Sequence, residues 1–180
     1  MKIALRILLL AALVALGLWF WTLLFPAPEK VIRQRLTKLA WTVSFSSNEG
    51  EVMRLAGARN LAGFFSTNVE INIDVPGRVH HSLMGREEIT QAVLATRSAF
   101  SSLSVTFPDI KVTVAPDRQS AVADLTLAAN IAGEPDPIVQ EMKFTLHKSD
   151  GEWLITRVES VRTFTILDFE LQRLPFIVDA

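Results

Sequence analysis

Hydrophobic and polar positions divide this chain into three stretches of different periodicity. From Ile7 to Phe25 the side chains are apolar without interruption except at Thr22. At about 1.5 Å per residue the run spans roughly 28 Å, close to a bilayer's hydrocarbon core. Its Leu, Ile, Val and Phe residues, Ile7, Leu13, Leu18 and Phe25 among them, together favour insertion by roughly 4 to 7 kcal/mol. Trp19 and Trp21 lie towards its end, where indole rings favour the headgroup boundary. The pattern predicts an N-terminal transmembrane anchor and junction over residues 1–28. A cleaved signal peptide fits less well, because its apolar core is usually about 7–15 residues and ends in small residues. Here the one small candidate, Ala27, is preceded by Phe25 and Pro26 and followed by Pro28.

After Pro28 the pattern becomes that of an amphipathic domain. Ile32, Leu36, Leu39 and Val43 recur at spacings of three and four, a helical stripe. Asn48 with Glu51 reads as a capping box that starts a second helix. That helix carries Val52, Leu55, Arg59 and Ala62, with Phe64 and Phe65 at its end. Val69 to Val75 alternates strictly, the strand period. Pro76-Gly77 signals a turn, and Val79 to Met84 the returning strand. Gly85-Arg86-Glu87-Glu88 opens a third helix with its acids in the first turn, where the helix dipole favours them. Ile89, Val93 and Phe100 are its expected buried side.

The remainder reads as sheet. Val105 to Val114 is a strand bent at Pro108, and Pro116 to Gln119 a turn. Ala121 to Ile131 is a second long strand, followed by a loop from Gly133 to Pro137. Val139 to His147 and Trp153 to Thr163 form a hairpin around Ser149-Asp150-Gly151. Helices first and strands later indicate an α+β fold.

The roughly 150 residues after the anchor suit one domain with one core. Net charge is −1 and the basic residues are scattered, so nucleic acid has no electrostatic footprint here. Lys30, Arg33, Arg35 and Lys38 form the one basic cluster. It reads as a solvated helix face, or as a contact with anionic lipid heads worth about 1 kcal/mol per cation. Lys2 and Arg6 on the other side of the span leave little positive-charge bias. A short N-terminal tail normally stays cytoplasmic, so the domain is expected on the non-cytoplasmic side, facing a bacterial periplasm. The absence of cysteine excludes a lipoprotein junction and says nothing about redox compartment.

Three strings, in order, resemble the nuclear transport factor 2-like superfamily in its SnoaL-like branch. They are LAGFFSTNVEINIDV at Leu61 to Val75, GREEI at Gly85 to Ile89 and KSDGEWLITRV at Lys148 to Val158. In the last, Trp153 and Ile155 share a face. The resemblance implies a curved antiparallel sheet wrapped around about three helices over residues 29–164. Such a fold is a cone, open at one end onto a pocket. It also implies self-association through sheet faces. Folds of this type host isomerases, dehydratases, cyclases, ligand-binding modules and membrane-anchored assembly factors, so the site needs its own argument.

Members resembling ketosteroid isomerase use a tyrosine in an oxyanion hole. This chain has no tyrosine and eleven phenylalanines. A phenyl ring cannot donate the hydrogen bond that stabilises a developing oxyanion.

Two residues remain as catalytic candidates. If the hairpin closes tightly at Pro76-Gly77, His80 sits opposite Ile73 on the apolar side, a placement for a general base or a core histidine. A one-residue slip would put His81 there instead. Asp124 interrupts the Ala121–Ile131 strand on the face opposite Ala123, Leu125 and Leu127. It is either a pocket base or a residue of the wet face. Glu141, Lys143 and Thr145 read as a polar strand face. Neighbouring histidines on a strand point to opposite faces, so no metal site and no cofactor is expected.

The C-terminal extension, residues 165–180, is too apolar for a free tail. Phe164, Ile166, Leu167, Phe169, Leu171, Leu174 and Phe176 either pack back on the domain or dock on a partner. The sequence therefore favours a single-span membrane protein acting as a protein-binding accessory or assembly subunit, or as a homodimer. The alternative is a membrane-tethered SnoaL-like enzyme, or a carrier for a small apolar ligand.

Overall fold

The computed structural model describes residues 27–47, 49–73 and 81–161. The Ile7–Phe25 run, His80 and the apolar extension after Thr163 lie outside the described residues. Among those described, no helix is long and apolar enough to cross a membrane.

The chain forms three helices and six strands. They are α1 (Pro28–Val43), α2 (Glu51–Ala62), β1 (Phe65–Ile73), β2 (His81–Met84), α3 (Gly85–Ala99), β3 (Leu103–Val114), β4 (Ser120–Ile131), β5 (Ile138–Ser149) and β6 (Glu152–Ser160). The sheet runs in the order β2-β1-β6-β5-β4-β3. It is antiparallel except where β1 lies parallel to β6, so the expectation of a wholly antiparallel sheet is corrected at that seam. A parallel pair needs a long crossover, and the whole segment from β2 to β5 supplies it.

Pro28 starts α1 at its first turn, where a missing N–H costs nothing. Ile32, Leu36 and Leu39 are buried along its stripe, as their spacing predicts. The helix stops at Val43 because Ser44 turns to extended geometry, and the Ser44 hydroxyl then ties the helix end to β3. It donates to the Ala40 carbonyl at 2.9 Å and accepts the Val105 N–H at 2.9 Å.

The second helix departs from its expected start. It begins at Glu51 with Gly50 as N-cap, two residues beyond the expected N-cap; Asn48 lies outside the described residues. Its core contacts are Ala58, Leu61 and Ala62, while Val52, Met53 and Leu55 are exposed. Phe65 belongs to β1, which starts four residues earlier than its alternation suggests.

In α3, Glu87 and Glu88 occupy the first turn as expected, and the Glu88 carboxylate accepts the Met84 N–H at 2.7 Å. Gly85 has φ +80°, a conformation that suits glycine at the strand-to-helix corner. Ile89 is buried, but Phe100 is substantially exposed, and the residue buried at that end is Arg97.

Pro108 bends β3, where the β3–β4 register shifts between Thr106 and Asp109. Asp117 closes the β3–β4 turn by accepting the N–H groups of Gln119 and Ser120. Those bonds favour its charged form and hold its carboxyl below the usual carboxylate range.

Helices cover one face of the sheet. Between them lies the main core, which includes Ile32, Leu36, Phe65, Phe144, Trp153 and Ile155, with a smaller cluster of Ala40, Val105 and Ala129 between α1, β3 and β4. Phe107 meets Phe144 edge to face, with centroids 6.0 Å apart.

The other face is polar. Strand register sets Lys111 beside Asp124, Asp124 beside Lys143, and Lys143 beside Glu159, a ladder of alternating charge across four strands. Each such neighbour pair contributes roughly 0.2–1 kcal/mol. Arg157 continues the pattern by pairing with Glu70 at 2.6 Å and Glu159 at 3.6 Å.

Candidate functional site

Of the two catalytic candidates only Asp124 is among the described residues. Asp124 is exposed in the charge ladder, so the burial a pocket base requires is missing. The β1–β2 register pairs Ile73 with His81, not with His80, which is the one-residue slip left open by the sequence. Relative to the tight-turn expectation, this register shifts the returning strand by one position. Among the described residues no group of three or more metal-ligating side chains occurs.

What the structure does assemble is a surface groove between α1 and β3. Its volume is about 520 Å³, and its walls include Thr37, Lys38, Ala40, Trp41, Val105 and Phe107. The Ser44 bridge and the reciprocal bonds between Phe45 and Leu103, at 2.8 and 3.0 Å, hold the two walls together. Trp41 stands on the rim with 81% of its surface exposed. It lies off the Ile32–Leu36–Leu39 stripe, so the helical period alone could have marked it as an outward-facing tryptophan. An exposed indole beside an apolar groove suits docking, since Trp is enriched among residues that dominate interface energies.

A second arrangement ties the helices to each other. The side chain of Arg97 is only 3% exposed. Its Nη1 donates to Glu49 Oε2 at 2.5 Å and its Nη2 to the Thr42 carbonyl at 2.9 Å. The guanidinium also lies 5.1 Å from the Phe45 ring centroid. One cation thus joins the end of α3, the end of α1 and the α1–α2 connection. Recruitment of Glu49 to this clamp accompanies the later start of α2. A sequence signal existed: Ile89, Val93 and Arg97 recur at spacings of four, so Arg97 sits on the buried stripe.

The clamp sets the expected sign of one substitution. Gly57→Ala would ordinarily stabilise a helix by about 1 kcal/mol. Here a Cβ on Gly57 would lie 2.9 Å from Arg97 Nη1 and 3.0 Å from its Cζ, and the guanidinium is pinned on two sides. The variant should therefore lose about 1–2 kcal/mol in chemical denaturation. A gain would show that the clamp yields freely.

No protein-family model matches the chain, and a search of curated proteins finds no match. Solved structures do match in fold. A protein provisionally named a scytalone dehydratase, from Novosphingobium aromaticivorans, aligns with a TM-score of 0.55 at 16% identity, over 75% of this chain and 83% of that one. A protein from the same organism, provisionally named an aromatic ring hydroxylase, gives 0.59 at 11% identity, over 76% and 90%. A nuclear transport factor 2-like protein of unknown function from Pseudomonas putida gives 0.55 at 12% identity, over 84% and 96%. At these identities the likeness is one of fold: the domain has the nuclear transport factor 2-like architecture.

Proposed function

We infer that this nuclear transport factor 2-like domain is held at a membrane by the Ile7–Phe25 segment and serves as a protein-binding accessory or assembly subunit of a membrane complex. It faces the non-cytoplasmic side of a bacterial inner membrane. The observation that carries the reading is Trp41, exposed on the rim of the α1–β3 groove. It lies on the helix that directly follows the proposed anchor, where a membrane-embedded partner is within reach. The apolar residues from Phe164 to Phe176 are a second proposed docking element.

Native mass spectrometry of the full-length protein, extracted gently from its own membranes, tests this directly. A stoichiometric protein partner is expected. Trp41→Glu should weaken the association by roughly 30-fold or more, the effect of losing a contact worth about 2 kcal/mol, while the melting temperature stays the same. Truncation after Thr163 should also reduce association without melting the domain. A protein without a partner that carries a small apolar mass would overturn the accessory role in favour of a carrier.

A further inference from the structure

We propose that the domain also binds the oxyanion head of a small molecule, in a polar cavity where the α1–α2 connection meets the end of α3. The cavity has a volume of about 360 Å³ and lies on a different part of the surface from the Trp41 groove. Its walls are Phe45, Ser46, Ser47 and Glu49 from the connection, Arg54 from α2, and Arg97 to Ser101 from the end of α3.

The balance of hydrogen-bonding groups defines the ligand. Arg54 Nε donates to the Glu49 carbonyl at 3.1 Å, and its two Nη groups have no protein partner among the described residues. The hydroxyls of Ser46, Ser47 and Ser101 likewise make no bond to the described protein. Ser98 is the exception, donating to the Leu94 carbonyl at 2.9 Å. Against these donors stands one charged acceptor, the Glu49 carboxylate, already committed to Arg97. Among the described lining residues, two arginines face one glutamate, an excess of positive charge. On the lining residue Arg97, Nε is buried and unpartnered. A buried donor without an acceptor costs free energy, and the clamp accounts for Nη1 and Nη2 but not for this atom.

A carboxylate or phosphate supplies what the walls lack: several acceptor lone pairs and a negative charge, with the Arg54 fork shaped for a planar pair of oxygens. Phe45 and Phe100 provide apolar flanks. The volume lies at the small end of the roughly 300–1,000 Å³ range of ligand pockets. The fitting ligand is therefore a compact organic anion, a carboxylic acid or a phosphate ester, of about one ring in size.

Isothermal titration of the detergent-solubilised full-length chain tests this, with inorganic phosphate and benzoate as probes and benzyl alcohol as the uncharged control. Saturable binding of at least one anion and none of benzyl alcohol is expected. Arg54→Gln should weaken it about tenfold or more, the usual scale for a hydrogen bond to a charged group, and Arg54→Lys less. Preference for benzoate assigns a carboxylic acid; preference for phosphate assigns a phosphate ester. If Arg54→Gln fails to fold, the Ser47→Ala/Ser101→Ala double variant takes its place with the same expected direction. No saturable anion binding, equal binding of benzyl alcohol, or an affinity unchanged by these variants would overturn the proposal.

Discussion

Replacing Trp153 by alanine is expected to cost the domain about 3–5 kcal/mol, the range for removing a buried aromatic and leaving a cavity. Trp153 opens the second strand of the last hairpin and is 3% exposed. It shares one core with Leu146 and Ile155 on the sheet and with Ile32 and Leu36 on α1. The indole therefore fills part of the core that the sheet and the helix layer share, and its removal leaves a cavity there. Domains of this kind are stable by only about 5–15 kcal/mol, so the variant should sit near the threshold of folding. Urea denaturation of the full-length chain, followed by far-UV circular dichroism, measures the loss. Trp153→Phe should recover more than half of it. A loss below about 1 kcal/mol in the alanine variant would contradict the burial.

Arg97→Met is the second large effect, expected at about 3 kcal/mol. Removing one member of a buried ion pair costs roughly 3–5 kcal/mol, mostly because the remaining charge loses its partner. Glu49 keeps 28% side-chain exposure, which places the loss at the lower end of that range. The Thr42 carbonyl is also deprived of its donor. Glu49→Gln should cost less, because the amide oxygen can still accept from Nη1. A double-mutant cycle with these two changes should give a coupling of at least about 1 kcal/mol. Additive losses would show that the two side chains act separately.

Much of this architecture is readable from periodicity. The α1 stripe, the acidic first turn of α3, the bend at Pro108 and the hairpin around Ser149-Asp150-Gly151 all lie where local patterns place them, because local geometry decides them. The departures arise where a distant group competes with a local rule. Glu49 answers to Arg97, 48 residues away, and α2 takes Gly50 as its N-cap, two residues beyond the position expected from the sequence. Arg97 is buried because α1 and the α1–α2 connection supply its partners, so a pattern that counts every arginine as outward-facing selects Phe100 instead. Val52 and Leu55 follow a helical period, yet the core is already filled by Ala58, Leu61 and Ala62 from the same helix. Asp124 was ambiguous by alternation alone. Its place on the exposed face comes from the register that sets it between Lys111 and Lys143. The Trp41 groove needs α1 and β3 side by side, which no single segment encodes.

The parallel seam between β1 and β6 has a consequence for how the protein is made. Glu70 and Arg157 pair across it, 87 residues apart in the chain. During synthesis the N-terminal unit of β1, β2 and α3 exists for the whole time that β3, β4 and β5 are being added, with one edge of β1 unpaired. Only the arrival of β6 joins the two halves of the sheet. Contacts of such long sequence separation form slowly, and unpaired edges invite the wrong neighbour in the interval. Birth of the domain is thus governed by its last strand, and a nascent chain stalled before Trp153 would present a half-sheet that chaperones, or other copies of itself, can capture.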